Sequence, residues 1–465
     1  MTKNNNHLRF KEKLGYGLGD TASNFFFQTF NIFLLYYYTD VFGISAAAVG
    51  TMFFVTKLWD AVNDPLMGII ADRTRSRFGK FRPYILWVAV PYGIMGYLMF
   101  ANPDLGESGK IVYAWVTYTL MMMIYTAINV PYSALMGVMT PSSRERTVLS
   151  SYRFVCAFGG GLLISMLVRP LIEYFGDGDE AKGFSYTMAL FAVMSVALFW
   201  YTFSTTRERV VARDDHKSNL KQDLKFLVSN RPWLVLFLAA IFTLANVAVK
   251  NAVTVHFFKY YVGDDGSDYF LFMDRTTLFL TLGMLAMILG VACTKLFTRY
   301  FEKKTLMIWL SLLNATSMLI IFLIPPDQYW TMMIVNIIGM FLVGPTPALV
   351  WSMYADVADY GEWKYGRRTT ALVFSAAQFA QKFGLTIGGG LSGWMLGIFG
   401  FVANVDQTDT SLLGIRLMFT VIPACFAIMN ALVLIFYTLS DRQVEQIETE
   451  LEARKTSGLQ EAVQH

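Results

Sequence analysis

Leu58-Trp59-Asp60-Ala61-Val62-Asn63-Asp64-Pro65 places two carboxylates inside a segment otherwise apolar enough to lie in a lipid bilayer. On a helix, Asp60, Asn63 and Asp64 fall at i, i+3 and i+4, so their side chains project from one face as an oxygen-rich patch. A charged carboxylate at mid-bilayer depth costs about 2.5 to 3.5 kcal/mol even on the lenient insertion scale, and two acids one turn apart also repel. A bound cation, a shared proton, water in a cavity, or the ammonium of Lys57 one turn before Asp60 would offset that cost. Intramembrane acids are functional-site hypotheses by default, so the patch reads as a cation site, with a structural salt bridge to Lys57 as the bland alternative.

Composition agrees with a bilayer setting. Of 465 residues, 55% are hydrophobic, 16% aromatic and only 15% charged, against about 25% charged in soluble domains. With a mean hydropathy of +0.44, this describes an all-α, polytopic membrane protein surrounded by lipid. The net charge of +4 does not point to a nucleic-acid partner, because the basic residues cluster in short loops between apolar runs. Cys156, Cys293 and Cys425 lie within apolar stretches without paired spacing, so neither a disulfide nor a metal site is expected beyond a possible Na+. No cleaved signal peptide is expected in the polar, basic start from Met1 to Lys13.

At about 20 apolar residues per span, helices are expected near 15–40, 46–72, 82–101, 110–138, 150–174, 184–204, 232–262, 273–295, 305–324, 330–358, 368–399 and 411–439, with a potential break at Lys250-Asn251. That makes twelve spans. Basic residues fall in alternate loops (Arg73 to Arg82, Arg144 and Arg146, Arg207 to Arg231, Lys295 to Lys304, Arg367 and Arg368), which puts those loops and both termini on the cytoplasmic side of a cell inner membrane. The polar stretch from Thr205 to Arg231 separates six spans from six. The expected division is an N-terminal bundle over 1–204, a cytoplasmic middle loop over 205–231, a C-terminal bundle over 232–439 and a cytoplasmic tail over 440–465, the tail a solvated helix. Val130-Pro131-Tyr132-Ser133-Ala134-Leu135 echoes Thr346-Pro347-Ala348-Leu349, as two parallel repeats rocking about a mid-depth solute site would.

The spans hold further polar groups. Tyr125, Asn129 and Ser133 form a stripe on span four beside Thr126, Asn24, Gln28 and Asn31 form one on span one, and Arg153, Gln378 and Lys382 sit in spans five and eleven. Amides, hydroxyls and bases among aromatics suit a sugar, which offers hydroxyls to bond and an apolar face to stack on. Polar side chains also hold transmembrane helices together without binding anything. Arg73, Arg77 and Arg82 of the first basic loop, facing Asp356, Asp359 and Glu362 on span ten, read either as a cytoplasmic gate or as a plain orientation signal. No metal-ligand cluster or Ser-His-Asp order is readable, so no catalytic residue, cofactor or enzyme activity is expected, and His256 reads as packed or mouth-facing.

Tyr36-Tyr37-Tyr38-Thr39-Asp40, Trp59-Asp60-Ala61-Val62-Asn63-Asp64-Pro65, Arg77-Phe78-Gly79-Lys80-Phe81-Arg82-Pro83 and Asp359-Tyr360-Gly361-Glu362-Trp363-Lys364 together resemble the motifs of the glycoside-pentoside-hexuronide:cation symporters, the melibiose permease branch of the major facilitator superfamily. The resemblance implies twelve helices in two six-helix pseudo-repeat bundles and uptake of a sugar or sugar acid coupled to Na+ or H+. It implies cation contacts at Asp60, Asn63, Asp64 and Thr126, and sugar contacts at Asn24, Tyr125, Asn129, Ser133, Arg153, Gln378 and Lys382. The sequence departs from the melibiose-type pattern where Asn24 and Asn129 replace aspartates and Ser133 replaces a stacking tryptophan. The Gly15-Tyr16-Gly17-Leu18-Gly19-Asp20 start is closer to glucuronide- and pentoside-type members. Loss of two carboxylates beside Arg153 and Lys382 leaves a more positive cavity, one able to tolerate a sugar acid. A monomer is expected. The alternatives are a lysolipid-type cation symporter of the same fold and, in a different class, a membrane-embedded sugar sensor, against which stands the lack of an appended signalling domain.

Overall fold

The computed structural model describes residues 8–140, 142–209, 227–365 and 370–463, and among these the chain is helical apart from short connections and one isolated bridge between Phe270 and Met273. The helices are α1 (Phe10–Tyr36), α2 (Ala46–Arg73), α3 (Arg82–Trp87), α4 (Ala89–Leu98), α5 (Glu107–Met139), α6 (Ser143–Gly176), α7 (Glu180–Thr205) and α8 (Arg231–His256). They continue as α9 (Arg275–Ala292), α10 (Thr294–Tyr300), α11 (Lys303–Leu323), α12 (Tyr329–Val343), α13 (Thr346–Tyr365), α14 (Thr370–Ile398), α15 (Asp409–Phe419), α16 (Val421–Ile435) and α17 (Asp441–Val463). One π-helical turn, Tyr37–Val41, extends α1 and another, Phe257–Val262, extends α8.

Three expected spans are each broken, and proline accounts for the breaks because it withholds the amide N–H that the carbonyl four residues back requires. Pro91 follows the break at Val88 between α3 and α4, Pro345 and Pro347 flank the step from α12 to α13, and Pro423 follows the step at Thr420 between α15 and α16. The expected 273–295 span ends at Ala292, with α10 separate beyond it, whereas Lys250-Asn251 stays helical within α8. Joined across the proline breaks, and without the short α10 and the tail helix α17, the described helices make twelve segments of spanning length. Helix ends carry their own signals: the Ser142 hydroxyl accepts the Glu145 amide at 3.4 Å, and Asp179 accepts the Lys182 amide at 3.2 Å.

The chain packs as two compact units, Met1–Asp214 with Asn251–Met284 and Gly389–Arg416, and Asp215–Lys250 with Leu285–Gly388 and Leu417–His465. In the first unit α1 is pressed against α5 and α6. A Cβ at Gly17 would lie 2.9 Å from the Tyr152 carbonyl, and one at Gly19 would lie 2.4 Å from the Tyr132 ring, so only glycine lets these helices approach so closely. The same device brings α2 to α14, where a Cβ on Gly393 would lie 2.5 Å from the Gly50 backbone. Large aromatics fill the remaining space, with Tyr36, Tyr37, Tyr38, Phe25, Phe26 and Tyr92 fully buried.

The second unit is built on Trp233, Leu306, Met307, Met353, Tyr354 and Leu434. The tail helix α17 belongs to this core, which departs from the solvated helix expected of its mixed charges. Val444, Ile447 and Leu451, spaced i, i+3 and i+7, turn one apolar stripe inward. Asp441 accepts the Lys303 amide at 3.1 Å, and the Trp363 indole N–H donates to Glu450 at 2.6 Å. Of the expected middle loop, residues 210–226 lie outside the described residues.

Candidate cation and substrate site

Asp60 on α2 is buried, with 4% of its surface exposed, while Asn63 and Asp64 beside it are half-buried. The buried Thr126 hydroxyl on α5 donates to Asp64 Oδ1 at 2.8 Å, so a side chain 62 residues away joins the patch on α2. Pro65 follows Asp64 inside the helix, and its missing N–H leaves the Ala61 carbonyl without an intrahelical donor, adding one more oxygen to this turn. Lys57 lies one turn away, its Nζ 3.6 Å from where a Cβ on Gly389 would stand. Carboxylates, amide, hydroxyl and main-chain carbonyl are all hard oxygen donors, suited to a small cation or a proton.

A second polar group lines up along α1, α5 and α6. The Ser23 hydroxyl donates to Asn129 Oδ1 at 2.8 Å, the Asn129 amide donates to the Tyr125 carbonyl at 3.1 Å, and the Asn24 amide donates to the Asp20 carbonyl at 2.9 Å. Ser133 stands half-buried on α5, one turn past Asn129. Arg153 reaches from α6 to Asp20, with Nε 2.5 Å and Nη2 3.4 Å from the two carboxylate oxygens, and its guanidinium lies 5.3 Å from the Tyr132 ring centre. Sequence reasoning singled out Arg153 and missed Asp20, although Asp20 ends the quoted Gly15-to-Asp20 motif. Gln378, exposed, and Lys382, half-buried, stand one turn apart on α14 in the second unit.

Several of the residues read as a cytoplasmic gate have partners within their own unit. Arg82 donates to the Phe203 and Phe78 carbonyls at 2.8 and 3.3 Å, and the loop it ends is cradled by Glu208, which accepts the amides of Lys80, Phe81 and Arg82. Arg77 lies 4.6 Å from the Phe78 ring centre, and Arg73 is exposed. On α13, Asp356 pairs with Lys303, whereas Asp359 and Glu362 follow it half-buried.

At the opposite end of the first unit a network absent from the sequence reading ties the end of α1 to the end of α8. The Asp40 carboxylate, fully buried, accepts Lys259 Nζ at 3.1 Å and the Tyr260 hydroxyl, and lies 3.3 Å from His256 Nε2. Asn404 adds its side-chain amide to the Asp40 carbonyl at 2.6 Å and its Oδ1 to Lys259 at 2.8 Å. Its φ of +59° is a left-handed conformation that asparagine tolerates better than most residues. Lys259 also reaches the Tyr36 hydroxyl, which donates to Glu180 at 2.8 Å, and Arg169 on α6 pairs with Asp274. His256, expected to be packed or mouth-facing, is wholly buried against Asp40. Over this network lies an open pocket of about 760 Å³ lined by Arg169, Lys259, Asp264, Asp265 and Asp406 among others. There the Ser267 hydroxyl and amide hold the Asp265 carboxyl below its usual range.

Twelve spans among the described residues, with a buried and a half-buried acid on one of them and charged networks at the helix ends, fit a multi-pass membrane transporter. The chain belongs to the MFS/sugar transport protein family, whose model matches residues 15–441. It is 36% identical over 96% of its length to the inner membrane symporter YicJ of Escherichia coli strain K12, covering 95% of that protein. It is 34% identical over 96% of its length to the isoprimeverose transporter of Lactiplantibacillus pentosus, covering 91% of it. To a glucuronide carrier protein homolog of Escherichia coli strain K12 it is 30% identical, covering 97% of both chains. These matches bear out the family resemblance carried by the motifs, and with it a transporter rather than an enzyme.

Proposed function

We propose that this protein is a cation-coupled symporter of a sugar or glycoside, using Na+ or H+. The observation that carries the reading is the Thr126 hydroxyl of α5 donating to Asp64 of α2, one helical turn from the buried Asp60. Asp60, Asn63, Asp64 and Thr126 hold the cation, whose charge offsets the cost of two acids in a span. The sugar is held by Asn24, Tyr125, Asn129, Ser133 and Arg153, with Gln378 and Lys382. The names of the relatives support such a substrate, an isoprimeverose transporter and a glucuronide carrier among them. Cation binding favours the outward-open, sugar-accepting state by its differential affinity for that state. In that state Arg73, Arg77 and Arg82 with Asp356, Asp359 and Glu362 close the inner end, and the Asp40 network opens.

Counterflow of a panel of labelled sugars in proteoliposomes, with Na+ and H+ gradients imposed separately, tests this. One of the two gradients is expected to drive accumulation, and Asp60→Cys and Asp64→Cys are each expected to abolish that stimulation. Unchanged cation dependence in both variants would refute the assignment.

A further inference from the structure

Resting on the sugar-symporter reading, we infer that Met284 is a specificity-determining residue: its side chain is a movable lid on the sugar chamber, and the room beneath it sets the length of glycoside that is carried. The chamber shows itself on α1. Asn24, Phe27, Gln28 and Asn31 are half-buried, whereas Phe25, Phe26, Thr29 and Ile32 among them are buried. The spacing i, i+3, i+4 and i+7 puts the first four on one face, so this face borders open space. Its Phe27 ring stacks on Tyr125 of α5 at 5.8 Å between centroids, an apolar wall beside amides, as a sugar ring requires.

Helix α6 meets the same face with two glycines. A Cβ on Gly160 would lie 3.2 Å from the Asn24 Cβ, and one on Gly161 would lie 3.2 Å from Gln28 Nε2 and 2.7 Å from the Met284 methyl. The notch left by Gly161 is therefore filled from α9 by Met284, itself 8% exposed. Gln28 stands one turn past Asn24 in the direction of the Asp40 network, so the methionine closes the chamber between its sugar contacts and that end of α1. An unbranched thioether repacks at little cost, and only its tip enters the notch, so it withdraws without moving backbone. It donates no hydrogen bond and so closes over a sugar by fit. A glycoside that reaches past Gln28 keeps the methionine from seating. Such a molecule binds but is not enclosed, and enclosure is what commits a solute to crossing.

The test uses the sugar that the wild type moves best, its methyl and p-nitrophenyl glycosides, and the disaccharide and trisaccharide built on it. Counterflow in proteoliposomes measures which are carried, and competition against the free sugar measures which bind. The wild type is expected to show a length beyond which a glycoside competes without being carried. Met284→Ala is expected to raise the rate for the longer glycoside relative to the free sugar by about tenfold or more, with the inhibition constants unmoved. Met284→Leu, close in volume, is expected to keep the wild-type limit. Gly161→Ala pushes the methyl into the chamber and is expected to shorten the limit. A wild type that carries every length it binds overturns the inference, and this readout needs no variant to fold. So does a Met284→Ala protein that slows all members by one factor, as a merely structural residue would, or a Gly161→Ala protein that lengthens the limit. A wild type that moves no sugar at all refutes the symporter reading itself, which separates the two failures.

Discussion

Removing the Asp40 carboxylate should unlatch the outer end of the transporter. Asp40 is completely buried and holds Lys259, Tyr260 and, through its main chain, Asn404, so Asp40→Ala strips the ammonium and the phenol of their shared acceptor. Deleting one partner of a fully buried pair costs about 3–5 kcal/mol. The Lys259 side chain is 29% exposed, and water reaching it lowers that figure to about 1–3 kcal/mol. In the proposed cycle the network joining the end of α1 to the end of α8 and to Asn404 is kept in one state and broken in the other, so the cost falls on the state that keeps it. The equilibrium then shifts toward the outer-open state by about 5- to 150-fold. A single cysteine at Gln28, introduced after replacing Cys156, Cys293 and Cys425, reports this as the rate of labelling by a membrane-impermeant maleimide in right-side-out vesicles. The rate is expected to rise by a factor in that range. Lys259→Met is expected to raise it as well, and the double variant to add little, since the two side chains share one interaction. Labelling within twofold of the parent in Asp40→Ala, or fully additive effects, would refute the latch.

Other expected outcomes follow from particular contacts. Thr126→Ala removes the hydroxyl that donates to Asp64 and should raise the cation concentration for half-maximal uptake about two- to tenfold, the worth of one hydrogen bond. Gly393→Ala puts a carbon 2.5 Å from the Gly50 backbone, where nothing can rotate aside, so overpacking of about 1–3 kcal/mol should lower thermal stability and speed labelling of the same Gln28 cysteine. Ile447→Asp places a charge in the core that receives the tail helix and should make α17 a site of rapid tryptic cleavage in the purified protein, whereas Glu448→Asp on the same helix should not.

Much of the architecture was legible one residue at a time. Spans announce themselves by apolar length, and loop charge orients them, because a bilayer imposes both requirements on each segment separately. The acidic patch was legible for the same reason: Asp60, Asn63 and Asp64 share a face by helical spacing alone. The breaks at Val88, Gly344 and Thr420 escaped notice, although the prolines that explain them were in view, because hydropathy does not register a missing N–H.

What tertiary structure alone decided is who pairs with whom. Asp20 lies 133 residues from Arg153 and Asp40 lies 219 from Lys259, and each acid had several bases it might have met. The tail helix has the composition of a solvated segment, yet three apolar side chains bury it against α11 and α13. A charge's effect depends on the partner at a few ångströms and on the water excluded around it, and both are set by which helix faces come together. Local sequence thus wrote the spans and their oxygen-bearing face, while packing decided which charges meet.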